Sequence, residues 1–140
     1  MGVWSTGVLG NDSAEDWLDE FLIDPELEVI EEAISAVTSG NDYIEADEAS
    51  ACLAACEVLA RINGHPPSQP VGTEELDEWI QENPQSVPEE LLRLAIESID
   101  KILGPNSELR ELWEDEDQGE DWTAALIDLK QRVAASSSTG

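Results

Sequence analysis

From Ala49 to Ile62 the chain repeats small and apolar side chains at helical spacing: Ala49, Cys52, Leu53, Cys56, Leu59, Ala60 and Ile62 form a nearly continuous stripe, and Gly64 follows it. Recurrence at three and four residues is the signature of an α-helix, and Gly is a common stop. Ala51, Ala54 and Ala55 fill the gaps between the stripe positions. A helix so apolar has little to present to water, so it must be surrounded. Its small side chains let neighbours approach closely. The segment therefore predicts a central helix and requires the rest of the chain to supply its cover.

The flanking sequence can do so. Asp12 followed by Glu15 resembles a capping box, opening a helix to about Leu22 with Trp17, Leu18, Phe21 and Leu22 on one face. Asp24-Pro25 predicts a cap and a first helical residue, ahead of Leu27, Ile30, Ile34 and Val37, and Gly40 stops that run. After the Pro-rich stretch Gly64 to Gly72, a short helix from Thr73 carries Leu76, Trp79 and Ile80 and ends at Asn83-Pro84. Pro88 starts a long helix bearing Leu91, Leu92, Ala95, Ile96, Ile99, Ile102 and Leu103, closed by Gly104. Asn106 or Ser107 caps a short one ending at Leu112-Trp113, and a last helix opens near Asp121-Trp122 with Ala125, Leu126, Leu129 and Val133. Met1 to Leu9 reads as extended. The expectation is an all-α chain: a single compact bundle of about seven helices over residues 1–135, with an extended N-terminal segment and a flexible tail at 136–140. The expected core is Trp17, Phe21, Leu53, Cys56, Leu59, Leu92, Ile96, Ile99, Leu112 and Leu126, with Trp4 docked near Trp17.

Composition fits such a domain and narrows its partners. Of 140 residues, 41% are hydrophobic, enough for a core. Asp and Glu number 33 against 6 Lys and Arg, a net charge of -27. Such a chain repels the phosphate backbone of nucleic acids and anionic lipid surfaces. No apolar run approaches the roughly 20 residues that span a bilayer, and the start lacks the basic and apolar regions of a secretory signal. Cys52 and Cys56, the only cysteines, lie four apart on one helix face and read as reduced core residues of a cytoplasmic protein.

The opening Met1-Gly2-Val3-Trp4 with Asn11-Asp12-Ser13-Ala14-Glu15-Asp16-Trp17 resembles a family of small acidic bacterial proteins of unknown function. The resemblance continues through Glu48-Ala49-Ser50, Ala54 to Ala60, Ser107 to Glu114, Trp122 and Asp128 to Arg132, while Ser5, Leu9 and Gly10 depart from it. It implies a fold and a bacterial origin, and no activity.

Two constellations are candidate sites. The first is the N-terminal motif of Trp4, Asn11, Asp12, Asp16 and Trp17, in which Asp12 and Asp16 share a helix face with Glu15 close by. Carboxylates so placed can hold a cation or shift one another's titration; the plainer reading is a capped helix start whose Trp residues staple the N-terminal loop to the core. The second is the run Glu114, Asp115, Glu116 and Asp117, followed by Glu120 and Asp121. It lacks the spacing of a calcium loop and reads as a solvated loop or a docking surface for a basic partner. The sole histidine, His65, lies in a Pro-rich turn, so no Ser-His-Asp or Cys-His arrangement is evident. Phosphate-binding and nucleophile-elbow motifs are missing too. The expectation is a cytoplasmic protein-binding or inhibitory module, immunity-like, without cofactor, resident metal or enzymatic activity. The alternatives are an acidic domain of a salt-adapted organism, or a carboxylate- or metal-dependent enzyme.

Overall fold

Seven helices form among the residues described by the computed structural model, which are 12–39, 43–62, 74–82, 87–104, 106–114 and 119–137. They are α1 (Asp12–Ile23), α2 (Leu27–Thr38), α3 (Ala46–Ile62), α4 (Glu74–Glu82), α5 (Glu89–Ile102), α6 (Glu108–Glu114) and α7 (Gly119–Ser137). The all-α expectation holds. The single strand-like pairing among the described residues is an isolated parallel bridge between Ile44 and Ser107. The expected position of Trp4 lies outside the described residues.

α3 is the axis of the bundle. Its buried residues run unbroken from Cys52 to Arg61, and it touches each of the other six described helices. Burial on all sides is what an apolar helix without a polar face demands. α3 opens at Ala46, ahead of its apolar stripe, because help arrives from elsewhere in the chain: the Glu108 carboxylate accepts the Ala46 N–H at 2.8 Å. Asp47 and Glu48 add favourable charge to that first turn.

α1 and α2 cover one flank of α3, and α5 and α7 another. In α1, Leu18 and Phe21 are buried. Trp17 stacks on Phe21 with ring centroids 5.2 Å apart, and Trp79 of α4 meets Phe21 edge-on at 5.3 Å. α2 buries Ile30, Ile34 and Val37. Its start corrects the sequence expectation: Glu26, extended at φ -146 and ψ 148, occupies the cap, and Pro25 stays outside the helix. The reason is that the Asp24 N–H is bonded back to the Phe21 carbonyl at 3.2 Å, which keeps Asp24 in the last turn of α1.

Pro88 caps α5 from just outside it, its carbonyl accepting the Leu91 and Leu92 N–H groups. At the other end Gly104 closes against the Lys101 carbonyl, where a Cβ would sit 3.1 Å from that oxygen. α7 buries Trp122, Leu126, Leu129 and Val133 and reaches Ser137, into the stretch expected as tail.

Most of the expected core is buried: Phe21, Leu53, Cys56, Leu59, Leu92, Ile99 and Leu126. Trp17 and Ile96 are half-buried at its edge. Leu112 is the error, 54% exposed. α6 is held at its first turn, where the Glu108 N–H bonds the Ile44 carbonyl at 2.9 Å and the Ser107 hydroxyl caps the Arg110 N–H at 3.2 Å. Those contacts turn Leu109 inward, and Leu112, one turn later, is left outside.

Candidate functional site

Of the expected site residues, Asp16 and Trp17 are those whose side chains are described, and they face different ways. Asp16 is exposed on α1, whereas Trp17 turns inward onto Phe21. Asp12 opens α1; Trp4 and Asn11 lie outside the described residues. Glu114 ends α6, and Asp115, Glu116 and Asp117 lie outside the described residues, as does His65. Both cysteines are free and buried. Burial pushes the Cys56 thiol well above its ordinary range, and the adjoining Cys52 adds to this. The Cys56 sulfur lies 3.6 Å from the Ser98 hydroxyl. A thiol held neutral this way is a poor nucleophile. Among the described residues no group of three or more His, Cys, Asp or Glu could hold a metal ion.

The charged groups that do converge were not singled out from the sequence. Glu57, on the apolar helix α3, is 2% exposed. One carboxylate oxygen accepts the Arg61 Nε–H at 2.7 Å and an Arg132 Nη1–H at 2.9 Å. The other accepts an Arg132 Nη2–H at 2.8 Å. Arg132 also donates from Nε to Asp128 at 2.9 Å, and Arg61 lies 3.6 Å from Asp77 of α4. The result is an alternating chain, Asp77–Arg61–Glu57–Arg132–Asp128, that crosses from α4 through α3 to α7. Burial works against the Arg132 charge, and the Glu57 and Asp128 carboxylates outweigh it, so its pKa sits above the ordinary arginine value. A signal was present in the sequence. Glu57 is the lone charge between Ala49 and Ala60, and Arg61 follows at the i,i+4 spacing that lets the two meet.

Two more bases extend the pattern. The Lys101 ammonium donates to the Thr38 carbonyl at 3.0 Å, at the C-terminal end of α2 where a cation is favoured. Lys130 of α7 meets Asp100 of α5 at 2.6 Å. At least four of the 6 bases thus join one helix to another.

The surface is correspondingly acidic. None of the first 60 residues is Lys or Arg. On α1, Asp16, Asp19, Glu20 and Ile23 are all exposed, at the spacing of a single helix face, and α2 exposes Glu28, Glu31 and Glu32. Crowding has a direct effect between these helices, where Asp24 raises the Glu26 carboxyl above its ordinary value. On the α6 side, Tyr43 is 48% exposed and donates its hydroxyl to Glu111 at 3.1 Å, next to the exposed Leu112. Chemically these faces offer carboxylates and a few apolar side chains.

A family model described as "Domain of unknown function (DUF4259)" matches residues 2–125. The chain belongs to this family. DUF4259 therefore takes in the N-terminal motif, all of α1 to α6, Glu57 and Arg61; Arg132 falls beyond the matched residues. No curated protein and no solved structure matches the chain.

Proposed function

We propose that this chain is a cytoplasmic protein-binding module, inhibitory in the manner of immunity proteins, whose partner is a basic protein. The observation that carries the reading is the placement of its few cations. At least four of the 6 bases are engaged between helices, and 6 bases cannot balance 33 acids, so the outer faces stay strongly acidic. Complementary charge on a partner would speed encounter and fix orientation. Tyr43 is bonded to Glu111, and Leu112, next in the chain, is exposed: an aromatic, a carboxylate and an apolar side chain, the mixture a polar-rimmed interface uses. They adjoin the acidic run that begins at Glu114. No helix among the described residues is long and apolar enough to cross a membrane. The reading needs no catalytic group, cofactor or metal, and disfavours nucleic acid.

Capture from the native host followed by surface-plasmon kinetics tests it. A basic protein should be retained, with an on-rate that falls steeply as salt rises. Neutralising Glu114, Asp115, Glu116 and Asp117 should slow association more than it speeds dissociation. Capture of acidic or neutral proteins alone, or an on-rate indifferent to salt, would count against it.

A second reading has its own support. Exposed carboxylates occur on every one of α1 to α7, for example Asp47, Glu78, Glu97, Glu111 and Asp128, rather than on one face. That distribution suits a protein adapted to a salty cytoplasm, and a host proteome of ordinary charge would count against it.

A further inference from the structure

The outward face of α7 differs in charge from those of the other helices. Among the described residues, α1 exposes Asp16, Asp19 and Glu20, and α2 exposes Glu28, Glu31 and Glu32. α7 exposes Thr123, Ala124, Ile127 and Gln131, with Asp128 at the edge of the face, where it is bonded to Arg132. The opposite side of α7 packs on α3, α5 and α6. We propose that two copies of this chain pair through the outward face of α7, the two helices crossing antiparallel about Ile127.

The choice of face follows from what surrounds each exposed apolar side chain. The large ones among the described residues are Ile23, Tyr43, Leu112 and Ile127. Carboxylates stand beside the first three. Ile23 has Asp19 and Glu20 four and three residues back on α1, Leu112 has Glu108 one turn back on α6, and Tyr43 is bonded to Glu111. Ile127, 43% exposed, has Thr123, Ala124, Lys130 and Gln131 at those spacings instead. An apolar side chain ringed by neutral groups and one cation can be covered without bringing carboxylates together.

Charge also selects the occupant. Two chains of net charge -27 repel one another wherever their acidic faces meet, so a second copy is admitted where carboxylates are sparse. A basic partner finds its counter-charges on the other helices. A face that lacks charge is complementary to itself, as a two-fold pairing requires. Thr123 and Ala124 are small enough for two helices to approach closely there. Antiparallel packing about Ile127 sets Glu120, in the first turn of α7, level with the last turn of the other copy. The two Glu120 positions are then about 20 Å apart along the axis, some twice the ~10 Å Debye length at about 0.1 M salt. A parallel pair would set them side by side. The pairing is independent of the acidic faces offered to a basic protein, and it responds to salt in the opposite sense.

Sedimentation equilibrium of the full chain tests the proposal. One helix pair is a small interface, so the chain is examined up to about 1 mM. A monomer–dimer equilibrium is expected, with association about tenfold or more stronger in about 1 M than in about 0.1 M sodium chloride. Ile127→Glu should be monomeric in both salts. Leu112→Glu, the same change at an exposed apolar position on α6, should still dimerise. Ile127→Cys should give a disulfide-linked dimer on mild oxidation, because the antiparallel crossing brings the two copies of that residue together; the chain's own cysteines are buried. An unmodified protein that stays monomeric in both salts, or that associates more weakly as salt rises, would overturn the proposal without recourse to any variant. So would an Ile127→Glu protein that pairs as tightly as the unmodified one, a Leu112→Glu protein that does not pair, or an Ile127→Cys protein that fails to cross-link.

Discussion

The two flanks of α3 are held by different physics. On the α1–α2 side the contacts are apolar and aromatic: Phe21 at 0% exposure, Trp17 stacked on it, and Ile30, Ile34 and Val37 behind. On the α7 side a comparable apolar stripe, Trp122, Leu126, Leu129 and Val133, is joined by a buried ionic chain. The first flank carries no base of its own, and it exposes Asp16, Asp19, Glu20, Glu28, Glu31 and Glu32. The second draws two arginines inward. A chain with so few cations can balance only a small part of its charge, and it does so where helices must be joined.

This contrast can be broken at either flank. Glu57→Leu should have the largest effect, about 3 to 5 kcal/mol in urea melts, because it leaves two guanidiniums without their shared carboxylate. Adding Arg61→Leu and Arg132→Met should recover most of that loss, since the cost lies in the uncompensated charge. Phe21→Ala should cost a similar about 3 to 5 kcal/mol by the other route, a cavity that no compensating substitution on α7 repairs. Ser107→Ala removes the cap of α6 and should lower stability by about 1 kcal/mol. Leu112→Ala should change stability by less than about 0.5 kcal/mol, because its side chain is outside the core.

The difference between the flanks also explains what could be read from the sequence. Helix existence was legible because apolar spacing and Gly or Pro punctuation acted together, as at Gly104 and Pro88. The central place of α3 was legible because an apolar helix with small residues has nowhere else to sit. The start of α2 was not, since Asp24 has the chemistry of a cap but its N–H belongs to the last turn of α1. Leu112 was misjudged because seven residues of helix fix no roll angle; the bridge from Ser107 to Ile44 sets it, and that pairing is distant in sequence. Glu57 and Arg61 announced themselves as a local pair, whereas Arg132, 75 residues beyond Glu57, gave no sign that it would join them.

The claim that a buried ionic chain seats α7 is tested most directly by a double-mutant cycle of Glu57→Gln and Arg132→Met, measured in low salt and in about 1 M sodium chloride. The account predicts a coupling of about 1 kcal/mol or more that persists in high salt, because the pair is shielded from mobile ions. A coupling near zero, or one that disappears with salt as an exposed pair's would, contradicts it.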